Sequence, residues 1–334
     1  MSRRDRSGKR GRGLLFWLGR VALGLIATLV LSIGAGASFQ VFASARDARI
    51  FPPRGRLVDV GGVRLHLKCS GETKGGPTVI LENGLTAISS LWFRVQSELE
   101  QEVHVCTYDR AGIGWSDLTS RPRDPASVAR ELHTLLANAE VGGPYVLAGH
   151  SIGAIYAQAF QALYPKEVAG IAFIEGSPRD NFATAKGLRN RQQTLLIFAT
   201  FPTLARTGFM RVMPWCSERD FPERPAAEIH AACSAVHGWQ ASRAELKAIT
   251  AFAPPGDLSA LPIAVVSAGN HLAADAEWAS KQHRLAGLSS NSSHEIVAGA
   301  DHGSVLKDKD DAHRSSLAIL GLVRAVREGS QRAE

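Results

Sequence analysis

The pentapeptide Gly149-His150-Ser151-Ile152-Gly153 narrows what this 334-residue chain can fold into more than any other feature. It fits Gly-x-Ser-x-Gly and follows an apolar run, Tyr145 to Ala148, that reads as a buried strand. A serine between such a strand and a helix occupies a strained turn, and the flanking glycines let that turn close without a clash. The helix expected from Ile152 to about Tyr164 would set its positive end beneath the serine, where negative charge develops during acyl transfer. Ser151 is therefore the candidate nucleophile. In a chain with 32 glycines the pattern also arises by chance, so it points to chemistry only together with its surroundings.

Those surroundings alternate strand and helix. Residues 56–60 and 63–69 read as a hairpin about Gly61-Gly62, and residues 78–82 and 103–108 as short buried strands. Asp124 before Pro125 is a cap followed by a first-turn proline, starting an amphipathic helix to about Ala139. Further strands are expected at 168–175, 263–268 and 294–297, with a closing helix near 312–326. This order implies an α/β fold: a mostly parallel sheet with helices on both faces. The alternation breaks between residues 177 and 260, where helical stretches at 195–201 and 226–236 are punctuated by Pro202, Pro214, Pro222 and Pro225. An insertion of that size reads as a helical lid between core segments 51–176 and 261–330.

The formal net charge of +7 is concentrated at one end. Arg3, Arg4, Arg6, Lys9, Arg10, Arg12 and Arg20 against Asp5 account for +6, so the body is nearly neutral. No nucleic-acid partner is expected from a basic cluster that adjoins an apolar segment and lacks interleaved aromatics. Val21 to Ala37 carries no charge and Leu14 to Leu18 extends it, which is membrane length. Residues 1–13 then read as a basic cytoplasmic tail and 14–37 as a single-pass anchor in the cell membrane, with the catalytic body on the extracytoplasmic side. The competing reading is a secreted protein whose signal segment is cleaved at Ala35-Gly36-Ala37. Export would permit disulfides, and pairing Cys69 with Cys106 and Cys216 with Cys233 would join neighbouring elements; four buried free thiols are the alternative.

A serine hydroxyl needs a base held by a third group. Of the eleven histidines, His302 is best placed, in the loop Gly299-Ala300-Asp301-His302-Gly303 after the last strand. His66 and His104 fall in strands, His133 on a helix, and His150 is the variable residue of the turn. Glu175 ends the strand after the serine helix and is the expected acid, with Asp275 its rival after the next strand. The oxyanion hole should combine the backbone amides of Ile152 and of Leu85, the latter in the loop Asn83-Gly84-Leu85-Thr86. No metal and no cofactor is expected.

With these residues in order, residues 51 to about 326 resemble the α/β-hydrolases. Asn83-Gly84 occupies the place of the family's His-Gly oxyanion loop. Asp109-Arg110-Ala111-Gly112-Ile113-Gly114-Trp115-Ser116 is similar to its Asp-x-x-Gly-x-Gly-x-Ser turn. The strand Val168 to Glu175 is similar to one that carries the acid in a branch of the haloalkane dehalogenases, but those use an aspartate nucleophile where this chain has Ser151. The departures are Asn83 for histidine and Ala154 where a second glycine often follows. The resemblance implies a serine hydrolase that cleaves a small-molecule carboxylic ester, with an apolar acyl group suggested by the apolar lid residues 195–201, through an acyl-enzyme. Two alternatives stay open: an aminopeptidase resembling proline iminopeptidases, with Glu218, Asp220 and Glu223 holding a free amine, and a non-catalytic binding protein on a hydrolase scaffold.

Overall fold

The computed structural model describes residues 5–72, 75–218, 220–252 and 257–331. Among them eight strands form one sheet: β1 (Arg56–Asp59), β2 (Arg64–Ser70), β3 (Thr78–Glu82), β4 (Val105–Tyr108), β5 (Tyr145–His150), β6 (Val168–Ile174), β7 (Ile263–Ala268) and β8 (Ser292–Val297). Their order is β1-β2-β4-β3-β5-β6-β7-β8. The β1–β2 and β2–β4 pairs are antiparallel; all others are parallel. Helix α1 spans Asp5–Ile50; α2 (Phe93–Leu99), α3 (Pro125–Asn138) and α4 (Gly153–Leu163) follow along the first part of the sheet. The insertion holds α5 (Ala185–Arg206), α6 (Glu223–Ser234) and α7 (Val236–Ala248). The chain then runs through α8 (Gly269–Ala274), α9 (Ala276–Ala286), α10 (Ser304–Lys307) and α11 (Lys309–Gln331).

The period of two along each strand divides the core between the sheet's faces. On one face Leu147, Ile171 and Val265 pack against Leu132, Leu135 and Leu136 of α3 and Phe160 of α4. On the other, Val146, Leu81 and Val266 pack against Val95 and Leu99 of α2 and Ile319 and Val323 of α11. β3, β4, β5 and β7 are buried at every position, as strands covered on both faces must be.

Local signals in the sequence act as expected. Asp124 accepts a hydrogen bond from the Ser127 amide ahead of Pro125 at the first turn of α3. Gly61 and Gly62, both at φ +89°, close the β1–β2 hairpin with their amides on Asp59 Oδ1. Disulfides Cys69–Cys106, between register partners of β2 and β4, and Cys216–Cys233, within the insertion, take the bridged alternative over free thiols. His104 lies just before β4 rather than within a strand.

Two sequence expectations need amending. Pro202 does not end a helix but lies inside α5, near its C-terminal end. Phe198 and Phe201, both in the helical turn before Pro202, pack at ring-centroid distances of 5.2 and 4.6 Å from Trp239 of α7, and this packing outweighs the one lost N–H donor. The N-terminal apolar helix does not stop near residue 37 but continues to Ile50. The stretch Leu15–Ile50 is long and apolar enough to cross a membrane. Its last turns dock on the insertion: Gln40 donates to the Ser234 carbonyl at 2.9 Å, and Arg211 pairs with Asp47 at 2.7 Å. Gly36 lies so close to the Thr207 carbonyl that an added Cβ would stand 2.3 Å from it.

Candidate active site

The candidate residues gather at the carboxyl ends of the parallel strands, where an open α/β sheet presents its loops. Ser151 follows β5 directly and adopts φ +53°, a left-handed conformation that a non-glycine residue holds only when its surroundings enforce it. They do. The Ser177 amide bonds the Ser151 carbonyl at 2.8 Å, and a Cβ at Gly149 would come within 2.6 Å of the Ala154 nitrogen. A Cβ at Gly153 would lie 2.5 Å from the Glu82 carbonyl oxygen, so both glycines are sterically demanded. Ile152 stands at the N-terminus of α4 and Leu85 lies across from it, and both line a pocket with Ser151.

Glu175 follows β6, also at positive φ (+47°), with its side chain fully buried. One carboxylate oxygen accepts from His302 Nδ1 at 2.8 Å and from His271 Nδ1 at 2.9 Å. The other accepts from the Ala268 amide at 2.9 Å, and Trp278 Nε1 lies 3.1 Å from both. Burial alone would raise the pKa of such a carboxyl, but the hydrogen bonds from His302, Ala268 and His271 outweigh it and hold the value at about 2. Glu175 therefore stays ionised at neutral pH. Because its folded value is depressed, its contribution to stability is present above the ordinary carboxylate range and is lost as pH falls toward 2. Asp275, the rival acid, is engaged elsewhere: it caps α9 through the Glu277 and Trp278 amides and pairs with Lys186 at 2.6 Å.

Three contributors escaped the sequence reading. His271, on α8, shares the carboxylate with His302 and stacks on Trp278 at 4.8 Å. Its signal was a titratable side chain two residues after Gly269, at the strand end where an acid is otherwise expected. His150, read only as the variable residue of the turn, places Nε2 2.9 Å from the His302 carbonyl and so fastens the loop that carries His302 to the serine turn. Burial, then the neighbouring His302, depress its pKa to about 3, so it is neutral and donates from Nε2. Arg110 pins the loop that carries Leu85. It donates to the Asn83 and Gly84 carbonyls at 2.6 and 2.9 Å while pairing with Glu82 at 2.7 Å and Glu245 at 2.8 Å, all buried.

Removing one member of such a buried network strands the others, so Arg110→Met should destabilise the protein by about 3–5 kcal/mol. Thermal unfolding of the full-length protein in detergent reads this directly. Arg64→Ala, which breaks the exposed Arg64–Asp117 pair, should leave the midpoint nearly unchanged.

Ser151, His150, His302 and Leu85 line a pocket of about 370 Å³ roofed by Trp215, Ile229 and Trp239 from the insertion. Ser151 and His302 also face a second pocket of about 310 Å³ with Lys186, Asn181 and His271. Both fall in the size range of small-molecule sites. The donor atoms of Glu175, His271 and His302 lie within 4.8 Å of one another, a set able to hold a divalent cation. Of the acidic residues considered for an amine site, Glu218 is paired with Lys307 at 2.6 Å.

A profile of the alpha/beta hydrolase family matches residues 79–313. An uncharacterized protein of Schizosaccharomyces pombe is 27% identical over 87% of this chain and 61% of its own length, so the chain spans about three-fifths of that relative. Among solved structures, a thermophilic esterase from Thermogutta terrifontis is 20% identical, with a TM-score of 0.60 over 81% of this chain and 97% of its own. An esterase from Exiguobacterium antarcticum is 15% identical, with a TM-score of 0.62 over 81% of this chain and 99% of its own. At these identities the two structures attest the fold.

Proposed function

Since this chain belongs to the alpha/beta hydrolase family, we propose that it is a membrane-anchored serine hydrolase that cleaves carboxylic esters through an acyl-enzyme. The observation that carries this reading is the serine at φ +53° in one pocket with a histidine whose Nδ1 is held 2.8 Å from a buried carboxylate. Ser151 attacks the ester carbonyl while His302 Nε2 takes its proton. Glu175 holds the imidazole in the tautomer with Nε2 free and stabilises the imidazolium that forms. The Leu85 and Ile152 amides hold the oxyanion, the Ile152 amide with the aid of the α4 dipole. His302 then protonates the departing alkoxide, and water repeats the sequence to release the acid. In this reading α1 is a retained anchor with the basic tail in the cytoplasm and the catalytic body outside, an orientation supported by the arginines before the apolar run. Two disulfides suit that compartment.

The ester class rests on the solved esterases that the fold resembles and on the absence of a free acidic cluster among the described pocket residues, Glu218 being paired. Full-length protein in detergent, assayed side by side on p-nitrophenyl esters and aminoacyl-naphthylamides, should turn over the esters. Turnover of the amides alone would replace the reading with an aminopeptidase.

A further inference from the structure

A cavity of about 690 Å³, larger than either pocket at Ser151, lies where the membrane-length helix meets the insertion. One wall is α1, through Ala37, Val41 and Ala48; the opposite wall is the lid, through Ala231 of α6 and Val236 of α7; Trp115 closes the floor. Ile88 and Ala232 line both this cavity and the pocket of Ser151 and His302, so the two spaces adjoin across these two apolar side chains. The outside of the same region is apolar too. Phe39 and Phe42 on α1, and Phe209, Val212 and Trp215 on the lid, are all at least 46% exposed. Aromatic and aliphatic side chains gathered at the base of an apolar helix are what sits at a bilayer surface.

We propose that this cavity receives the hydrocarbon chain of a lipid ester taken from the bilayer, with the chain lying between α1 and α6 and the ester group reaching Ser151 past Ile88 and Ala232. The proposal rests on the serine-hydrolase reading for what happens to the ester, and names its substrate class: a long-chain lipid ester. An anchor serves a soluble ester only as a tether. Here the anchor is also a wall of the cavity beside the catalytic pocket, and its last turns are bonded to the lid through Gln40 and Arg211. A chain that moves from the membrane into this cavity meets mostly apolar side chains, Arg206 and His237 lying at the lining with Asp47 and Glu228, whose carboxylates are paired with Arg211 and Arg54, so it exposes fewer methylenes to water than a chain drawn into solution.

The test reads binding apart from catalysis. Full-length protein is reconstituted in nanodiscs that contain a chain-brominated phospholipid, and the fluorescence of wild type is compared with that of Trp115→Phe. The quenching assignable to Trp115 should be present, and, taken as the difference between Ala231→Trp and the double variant Ala231→Trp/Trp115→Phe, should fall at least about threefold once the added ring fills the cavity. With p-nitrophenyl esters, the ratio of kcat/KM for decanoate to that for acetate should fall about tenfold or more in Ala231→Trp and in Ala48→Trp. Trp115 quenching that is absent, or that is unchanged by Ala231→Trp, overturns the proposal, as does an unchanged ester ratio in both variants. Failure of the serine reading looks different: no ester of any length is cleaved, while Trp115 is quenched as before.

Discussion

Glu175→Gln is expected to lower kcat for ester hydrolysis by about four orders of magnitude, whereas Asp275→Asn should change it by less than about tenfold. The Glu175 carboxylate accepts N–H groups from His302, His271, Trp278 and the Ala268 amide, and only acceptors satisfy that arrangement. A carboxamide turns one of its two oxygens into an NH2 group. If that group faces His302, the ring must accept at Nδ1 and carry its proton on Nε2, where it can no longer take the serine proton. Asp275 orients no base: its oxygens serve the first turn of α9 and Lys186. Steady-state kinetics on the two purified variants, with circular dichroism to verify folding, decides between the acids, and the reverse ranking would move the acid to the loop after β7.

Much of this candidate site is legible in the sequence alone, because its parts are local. The glycines of the serine turn, the cap at Asp124 and the hairpin at Gly61-Gly62 each follow from backbone constraints within a few residues. Glu175 and His302 were legible because alternating strands and helices bring successive strand ends to one edge of the sheet. What the sequence withheld depends on contacts between distant residues. That α1 continues to Ile50 and rests on the insertion is set by Gln40 meeting Ser234, 194 positions away. The place of Pro202 inside α5 is set by aromatic packing on Trp239 rather than by propensity. His271 reaches Glu175 because α8 begins directly at the end of β7, a boundary that no repeating pattern in the sequence announces. Arg110 was visible only as part of a motif; its role in holding the Asn83-Gly84 loop follows from burial.

Replacing Ser151, the proposed nucleophile, has the largest expected effect of all. Removing a nucleophile that acts as a unit with its base and acid costs about as much as removing all of them, a loss on the order of a millionfold in kcat in the best-studied serine enzymes. The hydroxyl lies at a solvent-facing turn already fixed by backbone bonds from Ser177 and Ala154, so Ser151→Ala should fold normally. The most direct measurement is mass spectrometry of the full-length protein after treatment with a fluorophosphonate, on wild type and Ser151→Ala in parallel. Wild type should carry a single adduct, mapped to the peptide that contains Ser151, and the variant none. An adduct that persists at full extent in Ser151→Ala, or that maps to another residue in wild type, would rule out Ser151 as the nucleophile.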